Sequence, residues 1–269
     1  MKLSFPFPLL QLLSAIFIAS ASLTIPHTAS AQAPAPAGAG TDYVILKPPG
    51  ANAQPQQLAN VLILSVRGTK VAVKNAQGEI SYDLAQIQEV RKAAPPEIGL
   101  GRIAIEAGDL EKALTLFKGV SDRYKGLPTA WATDATAMLG NIYVNLGKYP
   151  EAEAAFNDFQ KTYPASGSAA ASVGKARIAA ERGNFAEAKG VAEPLVKDAL
   201  TKKNVSREEN QLFGQAFYVL GKVAEGEGKL PEAMENYCRT VAIFYQERAV
   251  VSEAEKRIDA LRKKGITTP

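Results

Sequence analysis

One histidine, one cysteine and one tryptophan stand among 269 residues, and aromatic residues make up only 7%. Each scarcity removes a class of chemistry. The histidine is His27, near the start, so everything after it has none. A Ser–His or Cys–His nucleophilic pair needs that imidazole as its base, which excludes it from the body of the chain. Zinc sites draw mainly on His and Cys, and one thiol, Cys238, is too few. The same single thiol excludes an internal disulfide, so stability must come from packing. Cys238 follows Tyr237 in a helical stretch and reads as a small, partly buried apolar side chain. The carboxylates are scattered, with no Asp-rich calcium loop. "GEGK" (226–229) lacks the preceding strand, the spacing and the hydroxyl residue of a phosphate loop, and reads as a helix-ending turn. These absences point away from an enzyme and from a bound metal or cofactor. The net charge of +4 is a mild excess without dense Lys/Arg clusters, which points away from nucleic acid.

What is present begins with a leader. Lys2 gives a charged start, an apolar stretch runs from Leu9 to Leu23, and Ala29 and Ala31 form a small-residue cleavage pattern before Gln32. This predicts an exported, periplasmic protein whose signal peptide, residues 1–31, is cut near Ala31. The alternative is an uncleaved N-terminal membrane anchor. No cysteine stands at the cut, which argues against lipid attachment there. Breaker-rich "QAPAPAGAG" (32–40) and "KPPGANAQPQQ" (47–57) predict a flexible tether over 32–57, with "DYVIL" (42–46) as a lone strand between them. Over 58–94 short β-rich runs, "NVLILSV", "VAVK", "EISYDL" and "QIQEVR", alternate with turn signals. They predict a small antiparallel β module. So few residues bury little, so the module needs closure or a neighbour, and a curled SH3-like half-barrel leaning on the next domain is expected.

From residue 95 onward the pattern is helical and repeats itself. "GDLEKALTLF", "GKYPEAEAAF", "GNFAEAKGVA" and "GKLPEAMENY" begin at Gly108, Gly147, Gly183 and Gly228. Five residues after each glycine stand Ala113, Ala152, Ala188 and Ala233. Nine after stand Phe117, Phe156, Ala192 and Tyr237. Upstream, Leu100-Gly101, Leu139-Gly140 and Leu220-Gly221 occupy equivalent places, with Lys175-Ala176 in the third unit. Four residues before the anchor stand Ala104, Tyr143, Ala179 and Ala224. The glycine ends one helix in a left-handed turn, small residues let two helices approach, and the aromatic fills the groove between neighbouring hairpins. Units of this length cannot bury their apolar faces alone, so they stack.

The pattern resembles the tetratricopeptide repeat. Residues 136–164 carry the fullest set, Leu139, Gly140, Tyr143, Gly147, Tyr149, Ala152, Phe156 and Pro164. The resemblance covers 97–245 and implies a mainly α fold, an α-solenoid of four helical hairpins over 95–246. "DALTKKNVSREEN" (198–210) reads as an insertion, and "ERAVVSEAEKRIDALRKK" (247–264) as the capping helix of a C-terminal segment, 247–269. In architecture the chain is also similar to periplasmic Tol-Pal-associated coordinator proteins.

The resemblance further implies a concave groove that holds an extended peptide or a partner protein. In this family the position six residues before the turn glycine faces that groove; here it is Arg102, Asn141, Arg177 and Lys222. Ten before stand Ile98, Ala137, Val173 and Tyr218, an apolar line beside the basic one. Such a surface suits a peptide bearing carboxylates. The competing expectation is solvated helix surface, with Arg102–Glu106 and Arg177–Glu181 pairing at i,i+4. Two other surfaces stand open: the helix at 210–225, for self-association or for internal packing, and an edge of the β module. The expected function is a non-enzymatic scaffold of the periplasm or cell envelope, holding another envelope protein or an extended peptide. The alternative is a self-assembling structural subunit, a homo-oligomer with an inert groove.

Overall fold

The computed structural model describes residues 41–267, Ala51 excepted. The expected signal peptide and residues 32–40 of the expected tether lie outside the described residues. Five strands lead the fold: β1 (Asp42–Leu46), β2 (Gln56–Arg67), β3 (Lys70–Asn75), β4 (Gly78–Asp83) and β5 (Ile87–Arg91). They form one antiparallel sheet in the order β4-β3-β2-β1-β5. Two expectations are corrected here. "DYVIL" is no lone strand, because β1 pairs with both β2 and β5. The β module therefore begins at Asp42, inside the span read as tether, and 47–55 is the loop that joins two paired strands. β2 serves both halves of the sheet. Its first residues pair with β1 and its last with β3. A register shift near Asn60, whose φ is 57°, lets the long strand bend between them.

The sheet leans on the helices, as expected. Asp42 is buried, and its Oδ2 accepts hydrogen bonds from the Ile63 amide and Lys92 Nζ, both at 2.8 Å. Lys92 lies 5.4 Å from the centre of the Tyr124 ring, and its carbonyl accepts the Trp131 Nε1–H at 2.8 Å. Tyr124 and Trp131 meet edge to face at 5.3 Å. Val44, Ile63 and Val71 share one apolar core with Phe117, Tyr124 and Ile142 of the first helices.

Nine helices follow among the described residues: α1 (Pro96–Glu106), α2 (Leu110–Tyr124), α3 (Ala130–Asn145), α4 (Tyr149–Thr162), α5 (Ala169–Glu181), α6 (Phe185–Thr201), α7 (Arg207–Gly226), α8 (Leu230–Ala242) and α9 (Arg248–Lys263). They pair as four hairpins and a last single helix. The four anchor glycines have φ of 79°, 70°, 81° and 77°. After each, the next amide donates back to the carbonyl of Ala104, Tyr143, Ala179 or Ala224 at 2.8–2.9 Å, the six-to-one bond of a left-handed helix cap. Ala113, Ala152, Ala188 and Ala233 are fully buried. A Cβ added to Gly101, Gly140 or Gly221 would lie 2.6, 2.2 or 2.5 Å from the ring of Phe117, Phe156 or Tyr237. The Phe156 ring also reaches Gly174 of the next hairpin, so it does fill the groove between neighbours.

The 198–210 segment is mostly helix. α6 runs on to Thr201, five residues follow, and the last of them, Ser206, caps α7 reciprocally with Glu209. The 210–225 stretch is spent internally. Phe213 and Phe217 pack on Phe244, Leu195 and Val196, which answers its two readings in favour of packing. α9 buries Val250, Ala254, Ile258 and Leu261 against the fourth hairpin and turns a charged face outward.

Candidate functional site

The first helices of the hairpins form an inner layer in which α3 lies on α5, α5 on α7 and α7 on α9. α9 then reaches α1, and Arg207 at the start of α7 forms an ion pair with Glu106 at the end of α1. In addition, Asn145 Nδ2 on α3 donates to Glu247 Oε1, just ahead of α9, at 3.3 Å. The inner face thus folds back upon itself, and an open groove is not what the predicted residues line.

Their individual positions follow from this closure. Ile98, Ala137, Val173 and Tyr218 are all buried, so they do not form the apolar line of an open groove; Ala137 and Tyr218 reach only the walls of two cavities. Asn141 is 4% exposed and Arg177 5%, in place of the solvent-facing positions expected for them. Arg177 donates to Asn145 Oδ1 at 2.6 Å, and its guanidinium lies 5.6 Å from the centre of the Tyr218 ring. Lys222 pairs with Glu181 of α5 at 3.0 Å. The expected i,i+4 pairs are therefore replaced. Glu106 goes to Arg207 and Glu181 to Lys222, because adjacent inner helices lie close enough to offer a partner across the layer. Arg102 alone of the four keeps its expected exposure, and it makes no ion pair within 4 Å among the described residues.

Arg102 stands at the lip of a cleft of about 300 Å³ between α1, α3, the loop ahead of α5 and the start of α7. Ala137, Met138 and Leu212 give it an apolar wall, and Asp134, Glu208 and Glu247 a charged rim. A smaller recess of about 170 Å³ shares Arg102, Met138 and Gln211 and extends toward Arg248. Burial raises the Asp134 carboxyl above the usual range, while Arg102 pulls it the other way. Burial also raises the Glu247 carboxyl, opposed by Arg177 and by the Asn145 bond. Gln215 is buried at the cleft, and its Oε1 has no hydrogen-bond partner among the described residues. A second cavity of about 300 Å³ is polar, lined by Tyr149, Arg177, Glu181, Tyr218, Glu253 and Arg257. Its charges already offset one another, and burial pushes the Tyr218 hydroxyl up to about 12.

Asp134, Met138, Gln211, Leu212 and Gln215 were not singled out by the sequence. Gln211 and Leu212 fall in the extra turns of α7, ahead of any repeat position. Met138 does precede the Leu139-Gly140 signature by one residue, which was a usable signal. Among the described residues no group of three or more His, Cys, Asp or Glu gathers as metal ligands would. No described helix is long and apolar enough to cross a membrane.

Residues 137–193, from within α3 to the middle of α6, match the family model of the tetratricopeptide repeat. Among solved structures, a chain titled "MamA RS-1 ArsTM double mutant" aligns over 64% of this chain and 98% of its own, at 19% identity and a TM-score of 0.34. No curated protein matches.

Proposed function

We propose that this chain of tetratricopeptide repeats is a protein-interaction scaffold of the bacterial cell envelope that takes a partner segment in the cleft beside Arg102. Stacked helical hairpins of this class present surfaces on which other proteins dock. The observation that carries the reading is the composition of the cleft. An apolar wall of Ala137, Met138 and Leu212 meets an exposed Arg102 and a buried, unpartnered Gln215 acceptor. Such a mixture suits an apolar side chain in the cleft, a backbone N–H on Gln215 and a carboxylate on Arg102. The envelope location rests on the leader pattern of residues 1–31. N-terminal sequencing of the protein from its own cells tests it, with Gln32 as the expected first residue.

The binding test compares the full chain with a double variant, Arg102→Glu with Leu212→Lys. Both side chains are at least partly exposed, so the fold should tolerate the change. Partners captured from envelope extracts are then titrated individually. A partner bound at least about tenfold more weakly by the double variant, at unchanged melting temperature, supports the cleft. Equal affinity for every captured partner removes it.

A further inference from the structure

α1 carries an apolar stripe that none of the described residues covers. Pro96, Leu100, Ile103 and Ala107 follow one another at steps of four, three and four, which places them on one line along the helix. All four are exposed, Leu100 at 52% and Ile103 at 62%. The repeat register says what belongs on this line. Ile103, five residues before its turn glycine, corresponds to Ile142, Ile178 and Val223. Those three are 1%, 2% and 1% exposed, each sunk in the apolar cluster of the hairpin before it. Leu100 corresponds to Leu139 and Leu220, which pack against the preceding hairpin in the same way. The first hairpin has no predecessor. The β sheet does not replace one, because it packs on α2 and at Trp131 and leaves the stripe bare.

The stripe therefore continues an interface that the chain builds three times internally, and its chemistry calls for an apolar helical surface. The opposite end of the solenoid does not supply that surface. α9 turns Glu255, Lys256, Asp259, Arg262 and Lys263 outward, and stacking the ends head to tail would bury those charges. The same stripe on a second copy has no such penalty. We propose that two copies of this chain associate through α1, stripe against stripe across a two-fold axis, so that Leu100 and Ile103 of each cover those of the other. A contact between identical patches closes at two copies and does not propagate into a filament.

Sedimentation of the full chain over roughly 1 to 200 μM tests this, since mass action makes a dimer grow with concentration. The expected result is a monomer–dimer equilibrium weakened at least about tenfold by Leu100→Lys with Ile103→Lys. The melting temperature should not fall, as both side chains are exposed. Because Cys238 is the one cysteine, Ile103→Cys in a Cys238→Ser background gives a second readout. Mild oxidation should link two copies covalently. A monomer at every concentration overturns the proposal, as does a dimer that the two lysines leave unchanged. A monomer in which the introduced thiol is shielded from a maleimide also overturns it, because the stripe would then be covered within one copy. None of these substitutions touches the cleft, so failure here and failure of the binding reading are separate results.

Discussion

The second hairpin, α3–α4, and the third, α5–α6, share a turn and differ in what lies between their helices. In the second, Gly140 makes room for Phe156, which is fully buried. In the third, Ala176 faces the place where the aromatic would be, and Ala192 stands there instead; both are 1% exposed. Glycine and aromatic have been exchanged together for two alanines. The repeat signature thus couples the two positions: where the aromatic is lost, the glycine that made room for it is lost with it. A unit that looks degenerate when each position is scored separately is well packed when the two are read as a pair.

Substitutions can break that comparison or sharpen it. The largest expected effect is from Phe156→Ala, which empties the space between Gly140 and Gly174 and should cost ~3–5 kcal/mol in denaturant unfolding. A loss no larger than that of an exposed substitution would show that the ring is not what spaces these hairpins. Next comes Gly140→Ala, whose Cβ would meet the ring at 2.2 Å, with an expected cost of ~1–3 kcal/mol. Combined with Phe156→Ala it should add little, and full additivity in the double-mutant cycle would refute the pairing. The turns should behave alike in both hairpins. Gly147→Ala and Gly183→Ala each force a Cβ into the left-handed region, at ~1–2 kcal/mol, and unequal melting shifts would mean that the shared turn is not equivalent. The smallest effect is from Ala176→Gly, about 0.5–1 kcal/mol from helix propensity alone. A stabilisation there would mean that the third hairpin is overpacked and still calls for glycine.

Much of the helical part was legible because its signals are local. A left-handed glycine, an alanine five residues on and an aromatic nine on lie within a few turns of one another, and each has one physical use. β1 was hidden for the opposite reason. Pro and Gly on both sides of "DYVIL" are genuine breakers, but its partners lie in β2 and in β5, far along the chain, and pairing is settled there. The binding residues were the least legible. Repeat position puts Arg102, Asn141, Arg177 and Lys222 at equivalent places on α1, α3, α5 and α7. Whether the inner layer is open depends on how α9 returns to α1, a sum of small rotations between hairpins that no single residue encodes. Closure then turned Arg177 into a buried partner of Asn145 and left Arg102 at the lip of a cleft built partly from the extra turns of α7.

The position of β1 has a mechanical meaning. The described chain enters its fold almost at once through Asp42, in a strand bonded on both sides and clasped by Lys92. Tension applied ahead of residue 41 would run along that strand, at right angles to the hydrogen bonds of both ladders. The bonds would then be loaded together in shear rather than opened one by one, with the Asp42–Lys92 pair nearest the point of pull. Force arriving from that side would pass through Lys92 to Tyr124 and Trp131 and so into the first hairpin and the start of the second.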